Sequence, residues 1–237
     1  MTEVTWQGVV AQPTLDGCDL WTVDLDATRS DDALAVLCDD ELARMGRFVF
    51  ERDRLRFAAS RAALRRLLGF GLDRDPRLLR FSTSAHGKPS LADDQELAFN
   101  VSHSGGSAII AIDTARRHRS IGVDLELRRE VRDALSLAQT CFDGEELDAL
   151  AACDASLRDD VFLQGWTRKE ACLKADGAGF SAGAIPSTGI DDSSRHVRLH
   201  DGNQAWLQSM QFPHAIAALA VVARGGSNGA PAPKGGR

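Results

Sequence analysis

Two carboxylates separated by one residue, Asp124 and Glu126, lie in the apolar string IGVDLE. Residues two apart on a β-strand point to the same face, so a strand here would hold the two carboxylates side by side. Neighbouring carboxylates repel each other unless a cation lies between them, and Mg²⁺ binds to one or two carboxylates together with waters and substrate phosphates. The pair therefore fits a magnesium site, or else a solvated strand end close to Arg128 and Arg129.

A third acid, Glu170, lies in the string WTRKEACLK. Lys174 follows it by four residues and would share its helix face, while Trp166 precedes it by one turn. A carboxylate beside a large aromatic ring is expected to be partly buried, where it could accept a proton or complete a metal site. The alternative is a routine surface ion pair worth about 0.2–0.5 kcal/mol.

Two glycine-bearing turns could bring polar groups to a phosphate. The string NVSHSGG places Ser102 and His103 at a strand exit, and the string HGKP holds Lys88 in a rigid turn. Backbone amides and a histidine at such an exit suit an anion, and a plain surface turn is the alternative in both cases. A serine hydrolase is disfavoured, because no GxSxG motif occurs and adjacent strand residues point to opposite faces.

Arginines are concentrated in the window 44–66, which holds eight arginines and two acids and so carries a charge of +6. The 237 residues together carry −6, so the rest of the chain carries −12. A helix with a solvated basic face would explain the window, and so would a surface that binds a phosphorylated small molecule or an acidic partner. The negative total argues against general nucleic-acid binding.

The cysteines and the longest apolar run indicate the compartment. The five cysteines are odd in number and form no CxxC pair, which predicts neither a disulfide framework nor a cysteine zinc site and favours a reducing environment. The longest apolar run spans nine residues, 215–223, whereas a membrane-spanning helix needs about 20. The first residues lack the early basic residue of a signal peptide. We therefore expect a cytoplasmic protein that contacts neither membranes nor nucleic acids.

Helices and strands must position these side chains. Apolar residues at helical spacing predict a mostly helical stretch over 39–68 that ends at Gly69. A further helix is predicted to start at Asp143, and another to span 161–176 and end at Gly177. We predict strands at 78–82, 97–102, 107–112, 120–125, 185–190, 196–199, 205–212 and 215–222, several of which are apolar strings.

The two halves of the chain echo each other. The string SRAALRRLLGFG precedes RKEACLKADGAG by 108 residues, and each half then ends in an apolar strand. This order of elements predicts two α+β subdomains, 1–113 and 114–224, with an active site in the cleft between them. The glycine- and proline-rich residues 225–237 are expected to form a disordered tail.

In this order, five strings of the chain resemble the 4′-phosphopantetheinyl transferases of the surfactin-synthetase-activating type. The strings fall within residues 40–182 and read RFVFERDRLRFAASRAALRRLLG, FSTSAHGKPSL, FNVSHSGGSAIIAI, IGVDLE and FLQGWTRKEACLKADGAGF. The resemblance implies a pseudo-dimeric fold of two similar α/β subdomains with the active site in their cleft. It also implies an enzyme that moves the 4′-phosphopantetheine arm of coenzyme A onto a serine of an apo carrier protein and releases adenosine 3′,5′-bisphosphate.

The resemblance implies roles for the acidic residues and for one lysine. Asp124, Glu126 and Glu170 match the Mg²⁺ ligands of the family, and Mn²⁺ would also fit because both ions accept oxygen ligands. Glu170 would take the serine proton, directly or through a water. Lys174 would neutralise the pyrophosphate or stabilise the departing bisphosphate.

Coenzyme A carries three phosphates, which the family binds with basic residues and the SHS turn. By match, the expected contacts are Ser102, His103 and Lys88 at the nucleotide end, Arg44, Arg56 and Arg61 at the 3′-phosphate, and Lys169 at a phosphate. Two departures bear on the 3′-phosphate. Glu41 stands where some relatives have a basic residue, and Phe57 stands where a small polar residue can bind phosphate.

The implied partners are apo acyl or peptidyl carrier proteins, which are usually acidic and would suit the basic window. Fatty-acid, polyketide, nonribosomal-peptide and siderophore carriers all fit. We expect a monomer, because two subdomains in one chain complete a cleft.

Two other functions remain open. A non-catalytic carrier-binding module is disfavoured because all three acids and Lys174 are present. A Mg²⁺-dependent phosphohydrolase would use the same carboxylates but would consume coenzyme A without a protein acceptor.

Overall fold

The computed structural model describes residues 6–177 and 185–224. Two four-stranded antiparallel sheets divide the chain between them. The elements of the first half are β1 (Val9–Leu15), β2 (Cys18–Asp24), α1 (Ser30–Leu34), α2 (Asp39–Met45), α3 (Glu51–Leu72), β3 (Phe81–Thr83), β4 (Pro89–Leu91), β5 (Phe99–Ser104) and β6 (Ser107–Ile112). Those of the second half are β7 (His118–Leu127), α4 (Ala134–Ala138), α5 (Gly144–Ala152), α6 (Arg158–Asp176), β8 (Arg195–Arg198), β9 (Gln204–Gln211) and β10 (Ala215–Ala223).

The strand order is β1-β2-β6-β5 in the first sheet and β7-β10-β9-β8 in the second, and β3 and β4 form a separate hairpin. Both large sheets are antiparallel, so neighbouring strands can be joined by short turns, as β5 and β6 are by Gly105 and Gly106. β5 and β7 are therefore edge strands of their respective sheets. The polar residues at these two edges form the candidate site described below.

Four layers stack in the order α3, first sheet, second sheet, α6. Alternate residues of β6 demonstrate this arrangement, because Ile110 and Ile112 pack against α3 whereas Ile109 and Ala111 pack against the second sheet. On the other side of the second sheet, α6 contributes Ala171, Cys172 and Ala175 to a separate core cluster. Among the described residues, these three clusters contain most of the large apolar side chains that are buried.

β10 lies in the middle of the second sheet and is buried on both faces. Its sequence AIAALAVVA has no polar alternation, which is typical of a strand covered on both sides. Leu219 and Val221 face the first sheet, while the smaller Ala218 and Ala220 face α6. The small side chains on that face let the helix approach the sheet closely.

β7 alternates as the sequence predicts. Val123 and Leu125 are buried between the sheets, and Asp124 lies on the opposite face, towards α6. Gly122, on that same face, is where the helix backbone meets the strand. A Cβ atom at Gly122 would fall on the carbonyl oxygen of Ala171 and on the backbone nitrogen of Ala175. The glycine of IGVDLE therefore sets how closely α6 approaches the strand that carries the carboxylates.

The predicted helix over 39–68 differs from the structure at both its middle and its end. It is two helices, α2 and α3, separated by residues 46–50, and α3 continues through Gly69 to Leu72. The end of α3 is set by Asp73, whose φ of +52° is left-handed and supplies the helix C-cap. A glycine fits at position 69 because a Cβ there would lie 2.7 Å from the carbonyl oxygen of Arg74.

Two further predicted helices are confirmed, and one predicted strand is wrong. The helix starting at Asp143 is confirmed, with the Asp143 carboxylate accepting the Glu146 amide in a capping box. The helix ending at Gly177 is confirmed by a left-handed cap with φ of +78°. The strand predicted at 185–190 is wrong, because that stretch is irregular and is held by side-chain hydrogen bonds instead of a strand ladder. The predicted tail, 225–237, lies outside the described residues.

Within residues 6–177 and 185–224, no helix has both the length and the apolar character needed to cross a membrane.

Candidate active site

Side chains of β5 reach across to the main chain of β7 where the two sheets meet. Asn100 Oδ1 accepts the Val123 N–H at 2.9 Å, and Ser104 Oγ accepts the Leu127 N–H at 3.2 Å. Between these two residues, Ser102 also faces β7. Asn100 and Ser104 therefore satisfy two backbone donors along an edge strand that would otherwise be left unpaired, while Ser102 donates to a side chain of that strand.

We call the seam the line of contact between Asn100, Ser102 and Ser104 of β5 and residues 123–127 of β7. Asp124 lies at the centre of the seam and is 5% exposed. Its Oδ1 accepts hydrogen bonds from Ser102 Oγ and from Lys174 Nζ, each at 2.7 Å. Lys174 Nζ also donates to Ser102 Oγ at 2.9 Å. α6 thus delivers an ammonium group to a carboxylate of β7 and a hydroxyl of β5, which joins the two halves of the chain at one point.

Glu126 lies two residues further along β7, nearer the solvent. Its Oε2 accepts a hydrogen bond from Ser104 Oγ at 2.8 Å, and Arg129 lies 3.9 Å from the same oxygen. The serines of β5 therefore orient both carboxylates of the IGVDLE string. Ser102 and Ser104 are two residues apart on β5, as Asp124 and Glu126 are on β7, so each serine faces one carboxylate.

Glu170 lies on the same face of α6 as Lys174, one turn earlier. Burial, together with the nearby charges of Asp124 and Glu126, raises the pKa of Glu170 to about 7 against the opposing effect of Lys174. A carboxyl whose pKa lies near neutral can exchange a proton at physiological pH. The three acids predicted from the sequence thus lie within electrostatic reach of one another.

The donors at this point fit a divalent cation. Among the described residues, Asp124 Oδ2 is buried without a hydrogen-bond partner, and a buried carboxylate oxygen is costly to leave unpaired. Oxygen ligands of this kind are those that Mg²⁺ prefers. In the described part of the chain, no three acidic, histidine or cysteine side chains are already gathered as a metal-binding group.

A cavity of about 230 Å³ adjoins the seam. Asn100 and Val101 of β5 line it on one side, and Glu170 and Lys174 of α6 line it on the other. The turn of the β3–β4 hairpin closes it with His86, Gly87, Lys88 and Pro89. Both halves of the chain therefore contribute to one concave surface, which includes Glu170 and Lys174.

Lys88 is engaged inside the protein. Its Nζ donates to Ser120 Oγ at 2.6 Å, to the Ile121 carbonyl at 2.9 Å and to the Lys174 carbonyl at 2.6 Å. An ammonium group has three N–H donors, so these three acceptors use all of them. Burial lowers the pKa of Lys88 to about 8, an effect that Asp176 partly offsets. The structure thus holds the Lys88 ammonium group against α6 and β7, at the wall of the cavity.

Ser102 and His103 lie on opposite faces of β5, as alternation requires. Ser102 is buried against Asp124, whereas His103 is exposed. Only Ser102 of the two predicted contacts therefore belongs to the seam.

Two of the three arginines expected at a 3′-phosphate pair with carboxylates. Arg56 forms a two-pronged pair with Asp26, both distances being 2.7 Å. Arg61 pairs with the buried Glu41 at 2.6 Å and lies over the ring of Phe81. Both guanidinium groups therefore already have an internal anion.

Arg44 differs from these two arginines because its side chain is exposed. Its guanidinium lies 5.4 Å from the ring centre of Phe57. Such a contact leaves the N–H donors of the guanidinium free to bind an anion.

Lys169 is placed in the core and away from the cavity. Its side chain is 1% exposed, and its Nζ lies 2.6 Å from Glu146 Oε2 and 2.8 Å from the Pro186 carbonyl. Glu146 in turn accepts the backbone N–H groups of Thr188 and Gly189. This buried pair fixes residues 185–190 to α6, and we leave Lys169 out of the proposed phosphate contacts.

Sequence reasoning missed the seam residues Asn100 and Ser104. The string FNVSHS carries polar residues at 100, 102 and 104, a period of two that is typical of one strand face. A row of small polar residues on one face of an otherwise apolar strand is the signal that could have identified them.

Two family models match the chain. A model of the 4′-phosphopantetheinyl transferase superfamily matches residues 120–220, and a model of the N-terminal part of a 4′-phosphopantetheinyl transferase matches residues 26–115. The region 26–115 runs from α1 through β6 and leaves out β1 and β2, and the region 120–220 runs from β7 to β10.

Curated proteins with the same description are similar over most of the chain. The 4′-phosphopantetheinyl transferase HetI of Nostoc sp. (strain PCC 7120) is 38% identical over 188 residues, which cover 76% of this chain and 78% of HetI. The 4′-phosphopantetheinyl transferase Sfp of Bacillus subtilis (strain 168) is 29% identical over 175 residues, covering 74% and 72%. The L-aminoadipate-semialdehyde dehydrogenase-phosphopantetheinyl transferase of Homo sapiens is 28% identical over 186 residues, covering 70% and 58%.

Proposed function

Since the chain belongs to the 4′-phosphopantetheinyl transferase family, we propose that it transfers the 4′-phosphopantetheine arm of coenzyme A to a serine of an apo carrier protein. The serine Oγ forms a bond to the phosphorus that carries the arm, and the bond from that phosphorus to the bridging oxygen of the pyrophosphate breaks. Adenosine 3′,5′-bisphosphate leaves with the electron pair, and the serine proton passes to a base.

The observation that carries this proposal is the environment of Asp124. A buried carboxylate has one oxygen held by Ser102 and Lys174 and the other oxygen unpaired, and two further acids stand nearby. A purely structural carboxylate would be expected to have both oxygens satisfied. The unpaired oxygen supports a site that is completed by a cation.

Asp124, Glu126 and Glu170 are the proposed ligands of Mg²⁺, with Mn²⁺ as an alternative ion. When bound, the cation would neutralise charge that develops on the pyrophosphate oxygens during transfer. Ser102 and Ser104 orient Asp124 and Glu126 before any substrate binds, since each serine already donates to one carboxylate.

Glu170 is the proposed acceptor of the serine proton, directly or through a water. Its raised pKa supports this role, because a base with a pKa near the working pH can take a proton and later release it. Lys174 stands one turn away and would place its positive charge against the departing bisphosphate. In the structure that charge is held by Asp124, and an arriving phosphate would compete for it.

The cavity between the two halves is the proposed binding place of coenzyme A. Its lining by β5, α6 and the β3–β4 turn supports a ligand that touches both halves. Arg44, which is exposed, is the arginine best disposed for the 3′-phosphate, and His103 is exposed at the strand exit. The proposed partners are coenzyme A and an acidic apo carrier protein, and the proposed subdomain boundary follows Asp113.

The test uses the purified protein, coenzyme A, Mg²⁺ and a panel of apo acyl and peptidyl carrier proteins. Intact masses are recorded with and without EDTA, and again after excess Mn²⁺ replaces Mg²⁺. We expect at least one carrier to gain the mass of one phosphopantetheine arm, EDTA to abolish the gain, and Mn²⁺ to restore it.

Two results would overturn the proposal. Breakdown of coenzyme A without any modified carrier would indicate a phosphohydrolase. Carrier binding without a mass change, with coenzyme A intact, would indicate a non-catalytic carrier-binding module.

A further inference from the structure

The last turn of α6 has carbonyl groups that the helix itself cannot satisfy. Helices leave their last four C=O groups without intrahelical partners. In α6, the Leu173 carbonyl accepts the Gly177 N–H at 2.9 Å through the left-handed cap. The carbonyls of Lys174 and Ala175 need partners from elsewhere.

Those partners come from two distant elements. Lys88 Nζ donates to the Lys174 carbonyl at 2.6 Å, and Ser120 Oγ donates to the Ala175 carbonyl at 2.6 Å. Lys88 Nζ also donates to Ser120 Oγ and to the Ile121 carbonyl, so one ammonium group joins the helix end to the start of β7. A cation at a helix C-terminus is further favoured by the helix dipole.

The turn that carries Lys88 is built to hold the residue in place. Gly87 has a φ of +85°, a left-handed conformation that favours glycine. The Ser84 amide donates to the Lys88 carbonyl at 2.9 Å, and the Lys88 amide donates to Ser84 Oγ at 3.1 Å. The hairpin of the first half therefore presents its lysine side chain rigidly to the second half.

We propose that Lys88 is a positioning residue that fixes the C-terminal turn of α6 against β7, and so holds the Lys174 ammonium on Asp124. Lys174 is bound at both ends, because its carbonyl is held by Lys88 and its side chain by Asp124 and Ser102. If the last turn of α6 shifts, the proposed charge acceptor shifts with it. This role differs from the phosphate contact that the sequence implies for Lys88, and it rests on the proposed function only for its kinetic consequence.

Lys88→Met tests the proposal without substrate. The methionine keeps an unbranched apolar chain but removes all three donors. Hydrogen bonds to a charged group are each worth enough that we expect amide hydrogen exchange in residues 171–177 to become about tenfold faster or more. Exchange in α5 should not change. Unchanged exchange in residues 171–177 would overturn the proposal whether or not the protein is a transferase.

The kinetic readout separates positioning from phosphate binding. With a carrier that the wild-type protein modifies, we expect Lys88→Met to lower kcat by about 10- to 100-fold, because small displacements of reacting groups cost this much. KM for coenzyme A should change less than about threefold. A large rise in KM with unchanged kcat would instead establish Lys88 as a phosphate ligand. A lower melting temperature with kcat and KM unchanged would show that Lys88 contributes only to stability. Either result would overturn the proposal.

Two matched variants sharpen the result. Ser120→Ala removes the second hydrogen-bond partner of the same helix end. Because the two side chains contact each other, we expect the double variant to accelerate exchange by less than the sum of the two single effects. Lys88→Cys followed by aminoethylation with 2-bromoethylamine restores an ammonium group of nearly the same reach. Partial recovery of kcat is expected, with wild-type protein treated in parallel because Cys38 and Cys153 are half-buried. Failure to recover any kcat would contradict the proposal.

Discussion

At the scale of single residues, Asp124 joins three structural elements through one oxygen and leaves its other oxygen unpaired among the described residues. Asp124→Asn keeps the shape of the side chain and removes its charge. We expect turnover to fall by about 100- to 1000-fold, as when a charge-stabilising group is removed from an active site. Initial rates of carrier modification provide the measurement.

The control for this variant is Asp148→Asn, which changes an exposed acid on α5. That variant should retain wild-type rates and the wild-type melting temperature. Near-normal turnover by a folded Asp124→Asn protein would contradict the assignment of Asp124 as a ligand.

Residue types and spacing predicted the shared strand face of two carboxylates, but they did not predict the internal partners of the basic side chains. Residues two apart on a strand always point to the same face, so the shared face of Asp124 and Glu126 follows directly from the string IGVDLE. The partner of a long basic side chain depends on what folds near it. Arg61 is held by Glu41, 20 residues away, and Lys169 by Glu146, 23 residues away, and neither spacing carries a local signal.

At the scale of elements, the approach of α6 to β7 depends on the absence of a side chain at Gly122. Gly122→Ala would place a Cβ on backbone atoms of Ala171 and Ala175, which cannot rotate away. We expect a loss of unfolding free energy of about 1–3 kcal/mol, as for other overpacked positions. Chemical denaturation measures this loss.

Gly144→Ala is the matched control, because among the described residues a Cβ at that position meets open space. It should be neutral or slightly stabilising, since alanine has less freedom to lose than glycine. Equal stability of the Gly122→Ala and wild-type proteins would mean that the helix and strand lie further apart than described here.

The middle of α3 is joined to α2 by a buried charge cluster, in which Glu41 accepts hydrogen bonds from Arg61 and Arg65 at 2.6 Å. Burial raises the pKa of Glu41, but the two arginines and the Cys38 amide outweigh burial and lower the pKa overall. A carboxyl with a lowered pKa contributes stability above its unfolded pKa of about 4.3, and that contribution is lost as the pH falls through the lower, folded pKa.

Glu41→Gln should therefore destabilise the protein by about 3 kcal/mol near pH 7, because Arg65 would be left buried without its anion. The difference between variant and wild type should begin to shrink as the pH falls below the unfolded pKa of about 4.3, and it should be lost as the pH falls through the lower, folded pKa of the wild-type carboxyl. Denaturation curves across this range provide the measurement. A difference that stays constant down to the lowest pH would show that the charge of Glu41 is unimportant.

Element boundaries show where sequence patterns are insufficient. Strands β5, β6, β7, β9 and β10 follow apolar strings, and their existence is confirmed. The strands β1 and β2 were not predicted, because β1 is an edge strand with several exposed residues and carries little apolar alternation. Residues 185–190 begin and end with isoleucine without being a strand, and the backbone amides of Thr188 and Gly189 are satisfied by the buried Glu146.

At the scale of the whole molecule, the charge is divided between a basic window and an acidic remainder. The window 44–66 contains the exposed Arg44, Arg47 and Arg52, together with the exposed apolar residues Val49 and Phe50. An acidic carrier would be drawn to this surface, and attraction between exposed charges weakens as salt increases. This surface lies around the start of α3, close to the Asp26–Arg56 pair.

The double variant Arg47→Gln/Arg52→Gln should raise KM for an acidic carrier several-fold at low salt while leaving KM for coenzyme A unchanged. The difference from wild type should narrow between about 50 and 300 mM salt, where the Debye length shortens. Arg77→Gln, which changes an exposed arginine outside the window, serves as the control. An equal salt dependence in the double variant and wild type would place carrier binding elsewhere.

We propose that the site between β5, β7 and α6 transfers the phosphopantetheine arm of coenzyme A to a protein serine. The most direct measurement is the balance of products in a single reaction, with the modified serine identified by peptide mapping and the released nucleotide quantified over time. We expect one adenosine 3′,5′-bisphosphate for each modified serine, and both products to form about 100- to 1000-fold more slowly with the Asp124→Asn protein. Nucleotide release in the absence of a modified serine, or equal initial rates from the Asp124→Asn protein, would contradict this function.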